Sequence, residues 1–191
     1  KELHPAIEKL CSMKFDHLVN AGAGEGYYAV GLAMRMPEAG VIAFESDEAG
    51  RQSTQRMAQV NGVQTRVIVH GLCDIPGFSN CFSRSTNCLV LMDVEGAESL
   101  LLDPRVIPEL AKVHILVELH DFIFPQIGDL LTERFAGSHD IIQILSEPRT
   151  VDDYPFPVSP VFTALWKKNL LHSISEDRPG RMRWFLLEPR V

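Results

Sequence analysis

A short apolar run at residues 15–19 feeds directly into Asn20-Ala21-Gly22-Ala23-Gly24-Glu25-Gly26, and a second run, 41–44, ends on the acid Glu45. Between them, residues 25–36 are rich in Ala, Leu, Met and Val and stop at Pro37 and Gly40, which reads as a helix. A strand, a glycine turn, a helix and a second strand in this order restrict the fold more than any other feature of the chain. Right-handed crossovers place a ligand crevice at the carboxyl ends of such strands. Alternate glycines let backbone approach a ligand closely, and a carboxylate closing the second strand can accept hydrogen bonds from a ribose diol. The unit points to an adenosine-containing cofactor.

The rest of the chain repeats the alternation. Residues 4–13 suit a leading helix with Pro5 in its first turn. Ser46 or Asp47 can cap a helix that runs to Val60 and breaks at Asn61-Gly62. Further strands are expected at 65–70, 88–92, 113–119, 140–145 and 182–187, with helical segments at 98–102 and 126–135. A polar loop holding Pro76, Gly77, Ser79, Asn80, Ser83 and Ser85 follows the third strand and has room for a minor hairpin. Strands this continuously apolar are covered on both faces, which predicts an α/β, Rossmann-like single domain over 1–191: a mostly parallel sheet, helices on both sides and an antiparallel C-terminal strand. The segment at about 147–181 carries Pro148, Pro155, Pro157 and Pro160 and then aromatics at 162–166. It reads as an insertion lining a substrate pocket or as a packing element on the sheet edge.

Composition narrows the partners. No apolar run approaches the roughly 20 residues that span a bilayer, and the first ten residues lack a signal peptide's basic start and long apolar centre. The net charge of −7 argues against a general nucleic-acid binder. Residues 165–191 run against that trend, with Lys167, Lys168, Arg178, Arg181, Arg183 and Arg190 outnumbering Glu176, Asp177 and Glu188. They form a solvated basic face or a patch that draws in an anionic substrate. Cys11, Cys73, Cys81 and Cys88 show neither metal spacing nor a disulfide framework, which suggests reduced thiols and a cytoplasmic setting.

Residues 20–26 resemble the first motif of class I S-adenosylmethionine-dependent methyltransferases, usually an acid followed by Gly-x-Gly-x-Gly. The segment Asp93-Val94-Glu95-Gly96-Ala97-Glu98 is similar to the Asp-Val-Glu-Gly-x-Glu signature of the FkbM-like members. Gly71-Leu72-Cys73-Asp74 and Ile115-Leu116-Val117-Glu118-Leu119-His120 resemble that family as well, so the likeness covers roughly 15–145. It implies S-adenosyl-L-methionine as cofactor, held by Asn20, Gly22, Gly24, Gly26, Glu45, Ser46, Leu72, Cys73 and Asp93. One departure is Asn20, where a carboxylate would pair with the cofactor's ammonium and the amide offers a neutral acceptor.

The same resemblance faces the end of the fourth strand toward the transferred methyl group. Methyl transfer to a hydroxyl needs the nucleophile aligned and its proton removed, by a base or by a bound divalent metal. Asp93, Glu95, Glu118 and His120 are the candidates for that work. A hard cation such as Mg²⁺ would suit the carboxylates, although a base without metal is the preferred reading. Parts of this acidic region have plainer roles open to them: Glu95 as a helix cap, the nearby Glu98 in a first helical turn, His120 as a satisfied loop histidine. The expected acceptor is a hydroxyl on a small molecule or glycan-type compound, with Tyr154, Phe156, Phe162 and Trp166 as apolar walls beneath a basic rim. Two other functions fit the glycine turn. A nicotinamide-dependent oxidoreductase would want a third glycine where Tyr27 stands, and a non-catalytic cofactor-binding domain would keep only the fold.

Overall fold

Every residue of the apolar run Cys88–Met92 is buried, so the strand it forms must be covered on both faces. The computed structural model describes residues 1–175 and 180–190 and provides that cover. Glu176, Asp177 and Arg178 of the basic C-terminal segment, which also belong to the expected insertion, lie outside the described residues, as does Val191. Along the chain run α1 (His4–Cys11), β1 (His17–Ala21), α2 (Tyr27–Arg35), β2 (Gly40–Phe44), α3 (Glu48–Val60), β3 (Val67–His70), α4 (Ile75–Asn80), β4 (Cys88–Met92) and α5 (Glu98–Leu101). A 3-10 turn (Pro108–Lys112) precedes β5 (His114–Leu119), α6 (Ile127–Phe135) and β6 (His139–Leu145). A second 3-10 turn (Val151–Asp153), α7 (Pro160–Ile174) and β7 (Arg183–Pro189) follow.

The strands form one sheet in the order β3-β2-β1-β4-β5-β7-β6. β1 to β5 are parallel, and β7 inserts antiparallel to both β5 and β6. The order reverses at β1, whose neighbours are β2 on one side and β4 on the other. Ala21 stands level with Phe44 and Met92, so the glycine turn, Glu45 and Asp93 all emerge at one crevice. Successive strand residues face opposite ways. Val19, Val90, Met92 and Val117 therefore join one core beneath α4, α5 and α6, while Leu18, Leu89, Leu91 and Leu116 join another beneath α1 and α2. Each such side chain contributes roughly 1.5–3 kcal/mol of burial, which makes the sheet the stiff frame of the site.

Two local expectations need correction, and a third segment gains detail. The helix expected at 25–36 begins at Tyr27, because Gly24 and Gly26 take positive φ and cannot continue a right-handed helix. The polar loop after β3 is no hairpin; it forms α4, capped by the Asp74 carboxylate accepting from the Gly77 amide, with Pro76 in the first turn. The segment between β6 and β7 contains α7, a helix kinked at Trp166, on which Phe162, Leu165 and Trp166 stay exposed. Among the described residues, no helix is long and apolar enough to cross a membrane.

Candidate active site

The glycine turn is shaped by what it must avoid. Gly22 has φ +78, and a Cβ on it would collide with the carbonyl oxygen of Asp93 on the neighbouring strand. Only glycine fits there. Gly26, with φ +92, packs on α3: a Cβ would come 3.0 Å from the Thr54 Cα. This close contact joins the start of α2 to α3. The amides of Gly22 and Ala23 both donate to the Phe44 carbonyl at 2.9 Å, which stitches the turn to the end of β2.

Glu45 sits where the sequence placed it. Its carboxylate accepts from the Gly24 amide at 2.7 Å and from the Asp47 amide at 2.8 Å, bridging the turn and the start of α3. Asp47 caps that helix, while the Ser46 hydroxyl lies 3.5 Å from the Glu45 carboxylate. Leu72 is exposed and Cys73 half-buried on the loop after β3; burial pushes the Cys73 thiol up to about 12, so it is no thiolate near neutrality.

Beyond β4 the chain turns back sharply through Glu95 (φ +48) and Gly96 (φ +109). This turn carries Glu98 beneath β5, where its carboxylate meets His120 Nδ1 at 2.6 Å and accepts from the Gly96 amide at 3.2 Å. Glu98, Glu118 and His120 are all buried, and Asp93 is partly exposed, its Oδ1 lying 3.4 Å from His120 Nε2. One donor atom each from Asp93, Glu118 and His120 lies within 4.8 Å of the others. Glu95 is exposed and stands apart from this group; its part in the turn is conformational. Glu98 does what sequence reasoning assigned to a helix turn and more, since it fixes the imidazole.

Burial alone would lower the His120 pKa. The Glu98 hydrogen bond and the charges of Glu98, Asp93 and Glu118 outweigh it and hold the imidazole above its ordinary value. A cleft of about 1040 Å³ opens onto Asp93 and Glu118. Its aromatic wall comes from Tyr27 and Tyr28 at the start of α2 and from Trp184 on β7, with the Tyr28 and Trp184 rings 6.0 Å apart. The expected walls lie elsewhere: Tyr154 pairs with Phe156 and Phe162 stacks on Trp166. Two ends of the segment between β6 and β7 do reach the cleft, through Arg149 and Arg181. Arg149 is paired with Glu2 at 2.9 Å, so the rim is less basic than a count of its cations suggests.

No protein-family model matches this chain, and no curated protein matches it either. Solved structures do. An S-adenosylmethionine-dependent methyltransferase from Geobacter sulfurreducens, in complex with S-adenosyl-L-homocysteine, superposes with a TM-score of 0.57 at 12% identity, over 99% of this chain and 90% of that one. The O-methyltransferase TomG from Streptomyces achromogenes, in complex with S-adenosylmethionine, gives 0.57 at 13% identity, over 98% and 78%. An RNA methyltransferase from Salinibacter ruber, in complex with S-adenosyl-L-homocysteine, gives 0.51 at 14%, over 100% and 93%. The chain has the Rossmann-like methyltransferase fold.

In this methyltransferase fold the residues at the switch point can be tested for fit to the cofactor. Asn20 is buried, and its Nδ2 donates to the Leu91 carbonyl at 3.3 Å. Only the NH₂ side can face a carbonyl, so Oδ1 is turned the other way, and it has no hydrogen-bond partner. A buried acceptor left so costs about 1–3 kcal/mol, which an arriving ammonium N–H would relieve. A Cβ on Gly24 would meet nothing within 4 Å, so the turn keeps room beside its backbone. Glu45 retains lone pairs on both oxygens after its two amide bonds. These groups suit a ligand carrying an ammonium and a ribose diol.

Proposed function

We propose that this protein is an S-adenosylmethionine-dependent methyltransferase of the FkbM-like kind that methylates a hydroxyl oxygen on a small-molecule or glycan-type acceptor. The observation that carries the reading is the meeting of the glycine turn, Glu45 and Asp93 at the level ends of β1, β2 and β4. Glu45 would hold the ribose diol, the Asn20 Oδ1 would accept from the ammonium, and Ser46, Leu72 and Cys73 would border the adenine. When bound, the cofactor supplies a methyl group on a sulfonium, whose departing sulfur is neutral and needs no acid. The chain's own task is then to orient the acceptor hydroxyl and take its proton. Asp93 and Glu118 face the cleft from which the acceptor enters. His120, held by Glu98, is fixed against them and cannot swing away. Tyr27, Tyr28 and Trp184 offer flat apolar surface for the acceptor's body. The net charge of −7 favours such a compound over RNA, and the four free cysteines accord with a cytoplasmic setting.

Calorimetric titration with S-adenosyl-L-homocysteine tests the reading. We expect one site per chain and a raised melting temperature. The absence of both heat and thermal stabilisation, or tighter binding of NAD, would overturn it.

A further inference from the structure

The imidazole of His120 is arranged as a metal ligand would be, and we propose that Asp93, Glu118 and His120 bind a divalent first-row transition cation at the floor of the cleft. Three features of the site converge. Nδ1 is engaged by the Glu98 carboxylate at 2.6 Å, which fixes that nitrogen as the N–H and leaves the Nε2 lone pair free to ligate. A carboxylate behind a ligating histidine is the usual support for such a bond. Nε2 itself is fully buried and has no hydrogen-bond partner, and Asp93 Oδ1 lies 3.4 Å away. That separation is long for a hydrogen bond. It is what two ligands show when each lies at about 2.0–2.1 Å from one ion at a tetrahedral angle. Glu118 supplies a third donor within 4.8 Å of the other two.

The entry path is present, since Asp93 and Glu118 line the cleft. Three protein ligands leave positions open on the cleft side, where an acceptor hydroxyl could bind and be made more acidic. One imidazole among the ligands favours Mn²⁺, Fe²⁺, Co²⁺ or Zn²⁺ over Mg²⁺ or Ca²⁺, which prefer oxygen alone. Glu98 is in this scheme a positioning residue that acts through His120. The catalytic use of the ion rests on the methyl-transfer reading, whereas its binding does not.

The test is a titration of chelator-treated, full-length protein with MnCl₂, followed by loss of the free-ion electron paramagnetic resonance signal. One Mn²⁺ per chain is expected, displaced by Zn²⁺ and not by equimolar Mg²⁺. Asp93→Asn, at a partly exposed position, should weaken binding at least tenfold with an unchanged near-ultraviolet circular dichroism spectrum. Glu98→Gln should weaken it by roughly tenfold to a hundredfold. No bound Mn²⁺, or binding indifferent to both substitutions, would overturn the proposal. A parallel titration with S-adenosyl-L-homocysteine in excess chelator separates the two readings: cofactor binding without Mn²⁺ binding sinks only the metal site, and Mn²⁺ binding without cofactor binding sinks only the methyltransferase.

Discussion

Two histidines of this chain are fully buried at opposite ends of the sheet, and they have been given opposite characters. His139 opens β6 at the end where the parallel strands begin. Its Nε2 meets the Val113 carbonyl at 2.9 Å and its Nδ1 the Ser138 hydroxyl at 2.9 Å, and burial pushes its pKa down. His17 and His114, at the same end, are also lowered by burial. His120, at the end where the parallel strands finish, is equally buried but held above its ordinary pKa by Glu98, Asp93 and Glu118. Burial by itself makes a histidine neutral; only carboxylates packed around it reverse the sign. Stability gives no reason to gather three carboxylates about an imidazole, since desolvating them costs more than apolar filling would. One end of the sheet is built to stay folded, and the other to handle charge.

Substitutions at the two ends should therefore part company, and the largest effect belongs to Asp93. Asp93→Asn should cut methyl transfer roughly a hundredfold or more, the range of a lost acid–base group, while the melting temperature barely moves; a steady-state assay beside a thermal melt checks both. Next comes Glu45→Ala, which removes charged hydrogen bonds worth about 1.5–3 kcal/mol. S-adenosyl-L-homocysteine should bind roughly tenfold to a hundredfold more weakly by calorimetry, and an unchanged affinity would break the assignment of the β2 end to the ribose. The smallest effect is expected at the other end. The folded-state pKa of His139 lies below its unfolded value near 6.5, so the folded protein binds fewer protons there. Its contribution to stability is complete above that pH and fades as pH falls through the folded pKa. Urea unfolding at pH 7.5 and 5.5 should show that loss. In a proton NMR titration His139 should titrate below 6.5 and His120 above it.

What was legible in the sequence was local. The glycine turn, Glu45 and Asp93 each sit within a residue or two of a strand end, so reading the strand also located the side chain. Glu118 and His120 followed from the end of the next apolar run. Glu98 was visible but not its purpose, because that depends on two consecutive left-handed residues, one of them the non-glycine Glu95. No propensity announces a glutamate at φ +48. The aromatic wall of the cleft was not legible for a related reason. Trp184 reaches the cleft only because β7 pairs antiparallel with β5, placing it level with Glu118. Chain neighbours alone favoured the aromatics of the segment between β6 and β7. The α4 helix was overlooked although its cap, Asp74, and Pro76 were in plain sight; serine and asparagine content weighed more heavily than those start signals.

Gly22 has a mechanical consequence. With no side chain allowed between it and the Asp93 carbonyl, the turn and the end of β4 bear on each other backbone to backbone. Nothing compressible lies between them. A displacement of the turn by an incoming ligand cannot be absorbed by rotamer changes at that contact, so it passes to the peptide that carries Asp93. The two halves of the crevice behave as one stiff part, and whatever seats itself on the turn also sets the position of the carboxylate that faces the cleft.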